Sequence, residues 1–155
     1  MKKSKVKGPN REELKALIVA IGGPVKLRSL LTLFYERMAQ DLMIGFFFEG
    51  RDLKKIVDGQ TQFILMASGF IERFEGKGPS TAHVALPPIL AGHFDRRLIL
   101  LREVLSAEGV PEQWIALWIR FEESFRLVVV SEEVQHSPSS AGAAELAKKK
   151  GTPET

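Results

Sequence analysis

The chain has 155 residues, 45% of them apolar and 26% charged, the make-up of one globular domain long enough to bury a core. It has no cysteine, which excludes disulfides, thiol nucleophiles and cysteine-held zinc or iron–sulfur clusters. The formal charge of +3 is unevenly placed. Lys2, Lys3, Lys5, Lys7 and Arg11 supply five positive charges, Lys148, Lys149 and Lys150 outweigh Glu145 and Glu154 by one, and residues 12–133 are left at −3. A slightly acidic body does not read as a nucleic-acid surface. No stretch has the apolar length of a signal peptide or a membrane span, so a cytoplasmic protein is expected.

Residues 1–8 read as a flexible basic arm. Asn10 with Glu13 three residues on is a capping-box pattern, and Leu14, Leu17, Ile18 and Ile21 recur on one face of the helix it would start. Gly22-Gly23 predicts the end of that helix, and Pro24 suits the first position of the next. The second helix carries Leu27, Leu30, Leu31, Phe34 and Met38, with Tyr35 on the edge of the stripe. Residues 41–51 read as a corner. Phe46-Phe47-Phe48 cannot all face one core from a regular element, so at least one ring is expected to meet another apolar surface.

Asp52 predicts the cap of a third helix, with Leu53, Ile56, Gln60, Phe63 and Ala67 on one face and Val57 and Ile64 beside them. Gln60 in that stripe needs a hydrogen-bond partner. Gly59 costs about 1 kcal/mol against alanine, and marks close helix packing or nothing at all. Residues 69–80 read as a loop, and Pro87-Pro88 limits any helix at His83 to a few residues. A fourth long helix carries Phe94, Leu98, Leu101 and Leu105 and ends at Gly109. Arg97 lies on its apolar edge, where an arginine normally snorkels outward. A fifth, from Pro111, carries Trp114, Leu117, Trp118, Phe121, Phe125 and Val128. Residues 133–155 are small, polar and lysine-rich, and read as a disordered tail. No strand pattern holds in the body, so the expected domain is all-α over residues 9–132.

Of the three histidines, His83 alone is flanked by small and apolar residues, in Thr81-Ala82-His83-Val84-Ala85-Leu86. Such an imidazole is a satisfied core residue or a metal ligand. Zinc would need further ligands that its neighbourhood lacks, whereas haem needs one protein ligand and a large apolar slot. Tyr35 and Gln60 are polar groups on otherwise apolar faces, and Phe48 stands at a corner. In order and spacing these residues resemble the truncated haemoglobins, the short two-over-two globins. The resemblance rests on Ile21-Gly22-Gly23, Phe34-Tyr35 ending twelve residues past Gly23, Phe47-Phe48, Ile56, Gln60 twelve residues past Phe48, Phe74-Glu75-Gly76, His83 and His93-Phe94. It runs from about Ala20 to Val130.

That resemblance implies a globin-like two-over-two helical sandwich holding haem b, with His83 as the iron ligand. It also implies Phe48, Ile56, Phe63, Phe74, Phe94 and Leu98 against the cofactor, and Tyr35 and Gln60 reaching a distal ligand. Phe74 stands where the family has a tyrosine. Arg97 stands where the distal wall is usually apolar or aromatic. It is expected to reach a propionate, to place a cation over the ligand and favour anions or polarised dioxygen, or to snorkel out. His93 is a second candidate ligand, but at the start of a helix it is expected to cap or to face solvent. The implied function is binding of dioxygen, nitric oxide or carbon monoxide. Nitric oxide dioxygenation or peroxidase-like turnover would need an external reductase, because the chain has no flavin or nicotinamide fingerprint. Three alternatives stand beside it: a sensor or interaction module working through the arm or tail, a globin fold that has lost haem, and a plain bundle with His83 in its core.

Overall fold

The structure, a computed structural model, describes residues 7–72 and 86–131. Phe74, His83, most of the expected arm and the expected tail lie outside the described residues. Every regular element among the described residues is helical. The chain enters α1 (Arg11–Ile21) through the expected capping box: the Asn10 side chain accepts from the Glu13 amide at 2.8 Å, and the Glu13 carboxylate accepts from the Asn10 amide at 2.9 Å. Gly22 and Gly23 have φ of +121° and +95°, which L side chains rarely adopt. They turn the chain by 84° into α2 (Pro24–Ala39), with Pro24 in its first turn.

The second helix is central. It packs on α3 (Leu53–Ala67) and on α4 (Ala91–Ala107); α4 packs on α5 (Glu112–Glu123), and α1 closes against α5 and α2. The pairs α2/α3 and α4/α5 form the globin-like sandwich. Its core is the expected stripes of α1, α2 and α4: Leu17, Ile18, Leu27, Leu31, Phe34 and Leu101 are among the fully buried side chains. Each such burial contributes about 1.5–3 kcal/mol. No single helix among the described residues is long and apolar enough to cross a membrane.

The expected stripe of α3 divides into two. Val57, Thr61 and Ile64 are buried, and Thr61 returns its hydroxyl to the Val57 carbonyl at 2.7 Å. Leu53, Ile56, Gln60 and Phe63 lie a fraction of a turn away and are only half-buried. No helix among the described residues packs close to Gly59: a Cβ there would meet none of their atoms within 4 Å. Asp52 caps the helix as expected, accepting from the amides of Lys54 and Lys55.

The corner before α3 contains a 3-10 turn, Gly45–Phe48. The Asp41 side chain organises it, accepting from the amides of Met43 and Ile44 and from Arg96 on α4. Gly45 is required, because a Cβ would sit 2.7 Å from the Ala39 carbonyl oxygen. The three phenylalanines diverge as expected: Phe46 is exposed, Phe47 is buried, and Phe48 stands edge-on to Tyr35. The helix α5 ends earlier than its periodicity predicts. The Ser124 hydroxyl donates to the Phe121 carbonyl at 2.6 Å, and the chain resumes as the short α6 (Arg126–Val129), which leaves Val128 exposed.

Candidate functional site

The half-buried faces of these helices enclose a cavity of about 790 Å³. The second helix contributes Tyr35 and Met38, the corner Ile44, Phe47 and Phe48, and α3 Ile56, Gly59, Gln60 and Phe63. Ile89, His93, Phe94 and Arg97 line it before and along α4, and Phe121, Glu122 and Phe125 line it from the end of α5. Phe63, Phe121 and Phe125 form one ring cluster, with centroids 5.2–6.3 Å apart. The exposed side chains of Glu49, Arg51, Asp52 and Lys55 stand at its rim.

Polar groups converge at one end. Arg97 donates to Glu122 Oε1 from Nε at 3.0 Å and from Nη2 at 2.9 Å, and both of its Nη groups reach the Tyr35 hydroxyl oxygen at 3.4 Å. Its guanidinium also lies 4.9 Å from the Phe34 ring centre. Burial opposes its charged form, but the Glu122 carboxylate and the Tyr35 oxygen outweigh that penalty and raise its pKa above the usual arginine value. The expectation that Arg97 snorkels outward therefore fails: only 20% of the side chain is exposed, because a carboxylate waits for it inside. It is not a free cation over the cavity either, since that carboxylate compensates it.

Gln60 lines the same cavity, and no described residue hydrogen-bonds its amide. His93 does cap α4. Its Nδ1 accepts from the Leu90 amide at 3.0 Å, and its ring meets the edges of Phe46 and Phe47. A ring nitrogen committed to accepting leaves the ring hydrogen on Nε2.

The structure thus gathers Tyr35, Phe48, Ile56, Gln60, Phe63, Phe94 and Arg97 around one cavity. Leu98 is half-buried and does not line it. Phe74 and His83 lie outside the described residues. Sequence reasoning missed Glu122, whose only signal was its place four residues after the apolar Trp118. It also gave no site role to Met38, Phe121 or Phe125, which it read as core.

An all-α sandwich closed around a ring-walled cavity, with a few polar groups at one end, defines a cofactor-binding protein of the globin class. The chain is 31% identical over 106 residues to the group 1 truncated haemoglobin of Synechocystis, a match spanning 66% of this chain and 86% of that one. It is 27% identical over 92 residues to the group 1 truncated haemoglobin of Tetrahymena pyriformis, spanning 59% and 75%. In structure it matches the Fe(III) form of the Tetrahymena pyriformis truncated haemoglobin with a TM-score of 0.68 at 24% identity, over 75% of this chain and 98% of that one. It matches the 2/2 haemoglobin of Synechococcus with a TM-score of 0.56 at 23% identity, over 77% and 94%. No family model matches the chain. The chain belongs to the truncated haemoglobin family.

Membership implies haem b as the cofactor. The cavity fits that group: its volume falls within the roughly 300–1,000 Å³ of small-molecule and cofactor sites, and its walls combine phenylalanine rings and aliphatic side chains with a few polar groups.

Proposed function

We propose that this chain holds haem b in the cavity between α2, α3, α4 and α5, and through it binds dioxygen or a similar diatomic ligand. The observation that carries this reading is the cavity itself, whose lining includes Tyr35 and Gln60 along with Phe48, Ile56, Phe63 and Phe94. Those apolar side chains would hold the macrocycle, and Arg51 and Lys55 at the rim carry the charge that suits propionates. His83 is the candidate axial imidazole. When bound, the haem supplies an iron centre for reversible ligand binding and, with an external reductase, for nitric oxide dioxygenation or peroxide-dependent oxidation.

The protein's own part is to exclude water and to present hydrogen-bond donors. Tyr35 and Gln60 each offer a hydrogen to a polarised ligand, worth about 1.5–3 kcal/mol where the acceptor carries charge. Absorption spectra of the purified chain with haemin test the reading. A sharp Soret band that shifts on reduction under carbon monoxide, and degrades in His83→Ala, is expected. A spectrum that does not saturate overturns the haem reading; a Soret band indifferent to His83→Ala overturns the axial assignment. In the loaded protein, Tyr35→Phe is expected to speed dioxygen release at least about tenfold, the effect of ~1.4 kcal/mol.

A further inference from the structure

Arg97 and Glu122 form an asymmetric pair. Both guanidinium bonds fall on Glu122 Oε1, and Oε2 has no partner among the described residues although Glu122 is only 5% exposed. A buried carboxylate oxygen left open is costly, and it belongs to a residue of the cavity lining. On its other edge, the guanidinium donates through both Nη groups to the Tyr35 oxygen. A guanidinium has no acceptor, so the Tyr35 oxygen accepts there, and its own hydrogen is left to point elsewhere. No described residue takes that hydrogen, and Tyr35 faces the cavity. Phe34 beneath the guanidinium and Met38 Sδ at 3.7 Å from Nη1 hold it in place.

The geometry points to Arg97–Glu122 as a positioning and selectivity device for the cavity's ligand, a deepening that rests on the haem reading above. The pair aims the Tyr35 hydroxyl hydrogen into the cavity, and Glu122 cancels the charge of Arg97. The wall is then polar but electrically neutral, and it favours a neutral hydrogen-bond-accepting ligand over an anion. Neither residue is asked to touch iron.

Fluoride binding to the ferric haemin-loaded protein and carbon monoxide binding to the ferrous form separate charge from polarity. Glu122→Gln keeps the shape and one acceptor oxygen but leaves the guanidinium uncompensated. Fluoride affinity is expected to rise roughly tenfold, with carbon monoxide affinity held within about twofold. The double variant Arg97→Leu with Glu122→Leu removes both charges along with the alignment of Tyr35, and its fluoride affinity is expected not to rise above the wild-type level.

The second readout does not pass through iron. Tyr35 is the only tyrosine in the chain, so the ring doublet in ultraviolet resonance Raman spectra reports its hydroxyl alone. That doublet is expected to persist in Glu122→Gln and to shift in the double variant, where both donors to the oxygen are gone. A Soret-competent Glu122→Gln with unchanged fluoride affinity overturns the selectivity role. An unchanged doublet in the double variant overturns the positioning role, and this comparison stands even where Glu122→Gln does not fold. Failure of the haem reading is distinct from both: the wild type then shows no Soret band before any anion is added, and the selectivity role falls with it.

Discussion

Arg96 and Arg97 are neighbours on α4, yet they serve different parts of the molecule. Arg96 leaves the helix toward the surface, one-third exposed, and meets Asp41 with two bonds of 2.8 and 3.1 Å to the same oxygen. Arg97, about 100° further round the helix, turns inward to Glu122 and Tyr35. The residue type is the same, so type does not set the direction. The waiting carboxylate does: Asp41 in the corner for one, Glu122 on α5 for the other. Their energetics differ as well. The outer pair fixes the corner that carries Phe47 and Phe48 into the cavity; its carboxylate is 7% exposed, but its arginine keeps one-third of its surface in water, where solvent weakens the attraction. The inner pair has shed its water, and a buried pair often gives less stability than apolar residues of the same size.

The largest expected effect breaks the inner pair from one side. Glu122→Ala strands a buried guanidinium and is expected to cost about 3–5 kcal/mol, read from urea unfolding. Replacing both partners by leucine is expected to return most of that loss; an equal loss in the double variant would show that packing, rather than a stranded charge, was at stake. The outer pair is expected to give less. Asp41→Asn weakens the Arg96 contact and the cap on Met43 and Ile44, and is expected to cost about 1–2 kcal/mol.

A pH dependence follows from the same aspartate. Its pKa is lowered from 3.8 in the folded chain, chiefly by the Arg96 hydrogen bond, with the Ile44 and Met43 amides adding to it against the opposing effect of burial. Its contribution is therefore complete above the unfolded value and is lost as pH falls through the lower folded value. Stability followed from pH 6 down to 2 is expected to drop less steeply in Asp41→Asn than in the wild type. The smallest effect has the opposite sign. Gly59→Ala on α3 meets open space, and is expected to add about 0.5–1 kcal/mol to the haem-free protein in urea unfolding.

Local signals carried most of the fold. The Asn10–Glu13 box, the Gly22-Gly23 turn, Pro24 and the Asp52 cap act within a few residues, so the sequence shows both the signal and its result. Tyr35 and Gln60 were legible as polar groups on apolar faces. The α3 stripe shows where periodicity stops: it marks an apolar face without saying whether protein or cofactor covers it, and Ile56, Gln60 and Phe63 turned out to face the cavity. Glu122 was illegible for a different reason. A glutamate in the last turn of a helix reads as solvated, and its partner stands 25 residues earlier on another helix. Leu98 was assigned through the resemblance alone, and it is not among the residues that line the cavity.

Both tryptophans of the chain, Trp114 and Trp118, sit on α5, two turns and one turn before Glu122. Trp118 is in the core at 1% exposure, on the helix whose end lines the cavity. Its indole is therefore a built-in lamp beside the cofactor slot. Haemin absorbs where indole emits, so each chain that takes up the cofactor darkens while an empty one keeps shining. A fluorescence titration of the unmodified protein would count occupied chains directly, with no label and no added ligand.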